Sequence, residues 1–313
     1  MFQTTGVWPI TAAFVFMVCN NAAGQWLYVA EVNFFDEGYV HRMSVDGSVL
    51  ETLYETGGGL SGLALLPERN EAYTCDVATD VIARATLDPF GEMEVVVSGL
   101  THPADLVASS RHGALAWSDV GTREVVASDL DGSDLRVLAS DILSTSIAID
   151  DRQGHVYFED RTTAQRGAIK RIRLDGTGLE TIIDDVPTAT DIALDVAHGY
   201  VYWGSSAGFD TIGGIYRVRF DGTGFEEVFK PSDSRLDATT LAIDAANEFV
   251  YFGLQNGGAG TAEVFRMGLG GEDPTFIRGG FEGITDITYL IPAPGGLAPL
   301  ALAALLASRL RRA

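Results

Sequence analysis

Cysteine is close to absent from this chain: its 313 residues hold two, Cys19 and Cys75. Cys19 sits at the end of an N-terminal apolar run. With that run removed Cys75 stands alone, so no intramolecular disulfide can hold the remainder and a packed core must do it. Positive charge is scarce as well. Lys and Arg number 21 against 43 Asp and Glu, a formal net charge of −22. A surface of that sign repels phosphate backbones and has no basic stripe from which to release counterions, which excludes nucleic acid as a partner. Histidine is rare, five in all, and no pair stands at the spacing of zinc ligands, so no metal site is assigned. What the chain does have is glycine, 36 residues, with 46% hydrophobic content. That composition suits many short strands joined by tight turns and not a disordered polymer.

Both ends differ from the middle. Residues 1–24 carry no charged side chain, an apolar run from Ile10 to Val18, and small residues at Ala22, Ala23 and Gly24, which reads as a signal peptide cut near Gly24. Phe16, Met17 and Val18 leave no small residue before Cys19, against a lipid-modified cysteine there. Residues 291–313 run through Pro292 and Pro294, an apolar stretch from Leu297 to Ala307, and Arg309, Arg311 and Arg312. The stretch is well short of the ~20 residues of a settled transmembrane helix. This order of proline pair, short apolar helix and terminal arginines resembles the PEP-CTERM type of bacterial sorting signal, with Ala293 where that family has Glu. The resemblance implies an exosortase-like processing enzyme that clips the tail and links the protein to surface material. Read without it, the segment is a tail anchor with its positive charge kept inside. Both readings place residues 25–290 outside the cytoplasm, extracellular or at the cell surface, with the membrane touched only through the tail.

Between the ends the sequence repeats itself. The stretch VYWGS at Val201–Ser205 has counterparts in LYVAE (Leu27–Glu31), AYTCD (Ala72–Asp76), LAWSD (Leu115–Asp119), VYFED (Val156–Asp160) and VYFGL (Val250–Leu254). Downstream of each lies an Asp-Gly turn or its remnant, at Asp46, Asp88, Asp131, Asp175, Asp221 and Gly270, and then a short apolar run such as SIAID from Ser146 or DIALD from Asp191. Steps between the turn aspartates are 42, 43, 44 and 46 residues. A period in the forties with several short apolar runs per copy marks the four-stranded blades of a β-propeller, none of which can bury its faces alone. The expected architecture is all-β, six antiparallel blades over 25–290. The IAID-type runs are innermost, VYW opens the second strand, IYRVRF forms the third, and Asp-Gly turns lead to the outermost. Because the repeat starts on a second strand and ends on an innermost one, Ile284–Leu290 is expected to pair with Leu27–Glu31 and close the ring.

Six aromatic YW-x-D-like strands, each followed by I-x-R-x-x-L-D-G and x-I-A-x-D patterns, resemble the YWTD repeats of the low-density lipoprotein receptor family (its class B repeats), a six-bladed propeller. The resemblance covers roughly Gln25 to Leu290, although full YWTD occurs nowhere and the closing Asp is kept at Asp76, Asp119 and Asp160. It implies that those aspartates hold blades together and that the domain binds protein.

A search for chemistry yields little. GSSAG, Gly204–Gly208, matches the nucleophile-elbow pattern but follows a propeller strand and not a strand that opens a helix. Asp129, Asp131 and Asp134 have calcium-loop residues with the glycine misplaced, and read as a hairpin. His112, His155 and His198 share one repeat phase, the turn between innermost and second strands, while His102 belongs to the opposite face. That face collects the irregular connections, with Phe34, Phe35, Arg161 and Phe209, and variable loops on a rigid scaffold are where binding concentrates. Ligand-face candidates are therefore Phe34, Phe35, Arg161, Phe209 and His102. Asp105, Asp191 and Asp286 open three innermost strands at the channel mouth on the same face; such a ring either holds a cation or hydrogen-bonds to neighbouring backbone and water. The expected function is non-catalytic binding of a protein or glycan, with a lactonase- or lyase-type propeller enzyme using the channel mouth as the alternative.

Overall fold

The computed structural model describes residues 25–32, 37–56, 58–163, 166–206, 213–233, 236–256 and 261–290. They form six four-stranded antiparallel sheets, each a blade. Blade 1 contains β1 (Trp26–Val32), β2 (Gly38–Ser44) and β3 (Leu50–Thr56); blade 2, β4 (Leu60–Leu66), β5 (Glu71–Asp76), β6 (Val81–Thr86) and β7 (Glu94–Ser98). Blade 3 holds β8 (Pro103–Ser109), β9 (Ala114–Asp119), β10 (Glu124–Asp129) and β11 (Arg136–Ser140); blade 4, β12 (Ile147–Asp150), β13 (His155–Thr163), β14 (Arg166–Arg173) and β15 (Glu180–Pro187). Blade 5 has β16 (Ala189–Asp195), β17 (Tyr200–Ser205), β18 (Gly214–Arg219) and β19 (Glu226–Phe229); blade 6, β20 (Leu236–Asp244), β21 (Phe249–Asn256), β22 (Thr261–Gly268) and β23 (Thr275–Phe281). The last strand, β24 (Ile284–Leu290), returns to blade 1 as its innermost member. It pairs with β1 from Trp26–Leu290 to Glu31–Ile284, the closure expected from the repeat phase. No helix of the described residues is long and apolar enough to cross a membrane.

A single blade has nothing to bury its faces against, so the core lies in the seams. Each seam has its own apolar cluster: Ala116, Val125 and Leu138 of blade 3 meet Ile147, Phe158 and Ile172 of blade 4, and Leu27 and Met43 of blade 1 meet Tyr251 and Val264 of blade 6. The second strands supply the large side chains, with Trp117, Trp203, Tyr157 and Phe252 fully buried. Innermost strands supply small ones, Ala64, Ala148 and Ala242, because six strands converge there and leave little width.

The Asp-Gly turns serve the seams too. Gly132 has φ 81°, which glycine adopts freely, and a Cβ on it would lie 2.0 Å from the Val96 carbonyl oxygen on β7 of the preceding blade. Gly222 meets Ile182 of blade 4 in the same way, at 2.4 Å. The aspartate before each glycine accepts from the residue two ahead: the Ser133 amide and hydroxyl donate to Asp131 and those of Thr223 to Asp221. These bonds hold both carboxyls below the usual range.

A second brace repeats on five of the six blades. Tyr28, Tyr73, Tyr157, Tyr202 and Tyr251 stand directly across from Arg42, Arg84, Arg171, Arg217 and Arg266. Arg217 Nη1 donates to the Tyr202 hydroxyl and, at 2.8 Å, to the Leu269 carbonyl of the next blade. Arg171 reaches the equivalent Phe220 carbonyl. Blade 3 has Ala116 and Ala127 at these positions, yet the matching carbonyl of Leu174 is still served: Arg136 Nε reaches it from β11, the outermost strand, at 3.1 Å.

Candidate functional site

Gly62, Asp105, Ser146, Asp191, Thr240 and Asp286 share one repeat phase. Contrary to the sequence expectation, the aspartates do not open their strands: each is the third residue of its strand, because pairing with the second strand begins two residues earlier. Aspartate occupies blades 1, 3 and 5, and small residues the other three. The reason lies in the sheet edge. An innermost strand pairs on its outer side alone, so its inward amides have no strand to bond, and an unpaired buried N–H is costly. Each aspartate serves two of them. Asp105 Oδ1 accepts from the Leu106 amide (2.7 Å) and Oδ2 from the Ile147 amide of blade 4 (2.9 Å). Asp191 accepts from Ile192 (2.7 Å) and from Leu241 of blade 6 (2.6 Å), with the Ser146 hydroxyl donating as well. Asp286 accepts from Leu63 of blade 2 (2.7 Å) and from Ile287. Three carboxyls thus serve six edge amides, one from every blade. At Gly62 a Cβ would come within 2.8 Å of Asp105 Oδ1, which accounts for glycine at that point of the ring.

The sequence expectation placed these three residues at one mouth, and the structure brings them together on one axial cavity of about 350 Å³. All three carboxyls hydrogen-bond to neighbouring backbone, as one of the two readings expected. Burial pushes all three carboxyls up, Asp191 to about 7, and repulsion between them adds at Asp105 and Asp286. Among the described residues no group of three or more His, Cys, Asp or Glu side chains stands close enough to hold a metal ion.

The ligand-face candidates divide. Phe34, Phe35 and Phe209 lie outside the described residues. Arg161 closes a seam: its Nε donates to Glu159 Oε2 (2.7 Å) and its Nη2 to Thr145 Oγ1 (2.7 Å) and the Ala189 carbonyl (2.5 Å) of blade 5. Its side chain keeps 31% of its surface in solvent. Glu159, the residue the sequence reading passed over, also accepts from the Ala189 amide; burial outweighs the arginine beside it and lifts its carboxyl to about 7. Its signal was a Glu one place before the repeat's Asp. His102 is exposed, with its backbone in the left-handed region and its amide donating to Asp80. On the opposite face, His112 and His198 are turn residues, bonded to Ser109 and Asp195. Of the repeat aspartates, Asp119 accepts from the Thr101 and Thr122 amides, Asp76 from Ala78 and Thr79, and Asp160 pairs with Lys170. Gly204 and Ser205 end β17, the next element of the described residues is the strand β18, and Ala207 and Gly208 of GSSAG lie outside the described residues.

No family model matches this chain. Over 188 residues it is 31% identical to a protein of Pyricularia oryzae described as low-density lipoprotein receptor-related protein 1, an alignment covering 50% of this chain and 61% of that one. A human low-density lipoprotein receptor-related protein 5-like protein is 26% identical over 137 residues, 43% of this chain and 54% of its own. The chain therefore spans less than two thirds of the length of the curated relatives it matches. A chain of the nidogen/laminin complex superposes with a TM-score of 0.72 at 15% identity, covering 87% of this chain and all of that one. The likeness is one of fold. TolB from Acinetobacter baumannii shares it, with a TM-score of 0.68 and 12% identity over 85% of this chain and 66% of its own.

Proposed function

We propose that residues 25–290 form an exported, surface-attached, non-catalytic binding module that takes a protein or glycan on its loop-rich face. In this reading residues 1–24 are a removed signal peptide, and residues 291–313 are a tail read by an exosortase-like enzyme or kept as an anchor. The observation that carries the proposal is the distribution of connections. Between second and third strands, blades 2 and 3 use four-residue turns, from Asp76 to Val81 and from Asp119 to Glu124. Blade 5 spends the most, from Ser205 to Gly214, while blade 1 runs from Val32 to Gly38, blade 6 from Asn256 to Thr261 and blade 4 only from Thr163 to Arg166. Antiparallel order puts all of these on one face, so the blade 5 connection is what sets it apart. The relatives named as receptor-related proteins, and the neighbour solved within a nidogen/laminin complex, support binding as the use of such a face. The enzyme alternative needs free convergent groups at the channel mouth, whereas Asp105, Asp191 and Asp286 each already accept two amides.

The test uses immobilised protein against the surface fraction of the source organism. Phe35→Ala or Phe209→Ala is expected to weaken capture at least tenfold with the melting temperature unchanged, since central interface aromatics are typically worth ~2 kcal/mol or more. Loss of stability with capture intact would make these residues core and the face wrong. Hydrolase or lyase activity that Asp191→Asn abolishes would establish the enzyme. Intact mass of surface-extracted protein decides the tail: mature chain lacking 297–313 supports clipping, and retained arginines support the anchor.

A further inference from the structure

The axial carboxyls pose a problem of charge balance. Their cavity is otherwise lined by Leu63, Val107, Ile149, Leu194, Ile243, Tyr289 and similar side chains, with no Lys, Arg or His among them. Other titratable groups nearby are neutral: the Tyr289 phenol on β24, and the buried Cys75 thiol on β5, which feels Asp105 and Asp286. Full ionisation would put three negative charges around one cavity whose lining supplies no cation, an arrangement proteins relieve by holding a proton.

We propose that the ring is a proton-held clasp: with at least one of the three carboxyls protonated it closes the seams between blades 1 and 2, 3 and 4, and 5 and 6, and full ionisation loosens those seams. The geometry permits this because a protonated carboxyl keeps a carbonyl oxygen, and a lone pair on the hydroxyl oxygen, for its two amides, while its proton points to a neighbouring carboxylate or the cavity. Arg136 and Arg217 also bond across the 3/4 and 5/6 seams, and Ser146 ties Asp191 to blade 4, while the alternate seams have bonds independent of the ring. Ser61 donates to the Pro103 carbonyl between blades 2 and 3, Arg161 to that of Ala189 between 4 and 5, and Arg278 to that of Gly47 between 6 and 1.

The sign follows from the direction of the shift. Carboxyls raised above their unfolded value near ~3.9 stabilise fully below that value, and the contribution is lost as pH rises through the folded one. For Asp191 that lies at about 7. Glu159 titrates in the same window and has to be removed from the measurement.

The experiment is infrared titration of the full chain carrying Glu159→Gln, following the protonated-carboxyl stretch, with melting temperature read alongside. A carboxyl band persisting at pH 6 is expected, together with a melting temperature that falls between pH 5.5 and pH 8.5 and a band that shrinks when Asp191→Asn is added. Asp105, Asp191 and Asp286 are all pushed up, so Asp105→Asn and Asp286→Asn, each added singly to Glu159→Gln, serve in place of Asp191→Asn if that double variant does not fold; a band that none of the three diminishes also overturns the clasp. A band absent at pH 6, or a melting temperature flat across that range, overturns the clasp. So does millimolar calcium or potassium that restores the pH 8.5 melting temperature to its pH 5.5 value, which would make the ring a cation site.

Discussion

Ile287 and Ile192 occupy the same repeat position on two innermost strands, 2% and 4% exposed, one on the returning strand β24 and the other on β16 in an uninterrupted blade. If the ring closes as one cooperative unit, truncating either should cost the same. Ile→Ala at a buried site removes three carbons and leaves a cavity, typically about 2–5 kcal/mol. At about 2–4 °C per kcal/mol for a domain somewhat smaller than this one, a mid-range loss of ~3 kcal/mol lowers the melting temperature by roughly 6–12 °C. Calorimetry of Ile287→Ala and Ile192→Ala is therefore expected to give drops of equal size within a few degrees. Truncations sharpen the comparison. A chain ending before Ile284 loses the β1 partner strand and the Asp286 bond to Leu63, leaves unpaired edges, and should lose its cooperative transition; a chain ending after Ile291 should keep it. If Ile287→Ala costs under ~1 kcal/mol while Ile192→Ala costs its full share, the closing strand is an appendage and the reasoning about closure fails.

Gly132→Ala and Gly176→Ala share a left-handed φ, 81° and 78°, but a Cβ at Gly132 would strike the Val96 carbonyl at 2.0 Å while Gly176 has nothing within 4 Å. The conformational cost of about 1–2 kcal/mol is common to both, so denaturant midpoints should show Gly132→Ala losing at least twice as much; equal losses would mean the turn does not bear on the seam. Arg217→Ala removes donors to Leu269 O and Glu226 and a stack on Tyr200. It should cost about 1–3 kcal/mol, and Arg136→Ala, which strips Leu174 O, a comparable amount despite its place on an outer strand. Cys75 is fully buried with its thiol pushed up by burial, so a thiol reagent should label it at the rate of unfolding; prompt labelling of native protein would show blade 2 opening on its own.

The blades could be read from the residues because period-two apolar runs and Asp-Gly turns are local signals, and six copies agreed with one another. Closure was legible for the same reason: only one phase lets the first and last fragments complete a blade. The three aspartates were visible as a phase, with backbone hydrogen bonding as one of two uses left open, but their partners were not legible, since one of the two amides each serves belongs to another blade; the Ile147 amide lies 42 residues from Asp105. Arg161 looked like a free surface arginine, and the carbonyl it holds is 28 positions away. Blade 3 is the instructive case. Judged by motif it lacks the tyrosine and arginine, but the requirement is that the Leu174 carbonyl be met, and an arginine on another strand meets it.

The carboxyl ring also counts. One aspartate per two blades gives one inward amide of each blade its acceptor only if the number of blades is even. A five- or seven-bladed ring built on the same alternation would strand one amide, or crowd a fourth carboxylate against a neighbour, at a cost of about 1–3 kcal/mol. The pattern at Asp105, Asp191 and Asp286 is thus a parity rule written into the chain: blades can be gained or lost in pairs more cheaply than singly, and the natural unit of growth in such a sequence is about ninety residues, the 86 from Asp105 to Asp191 and the 95 from Asp191 to Asp286.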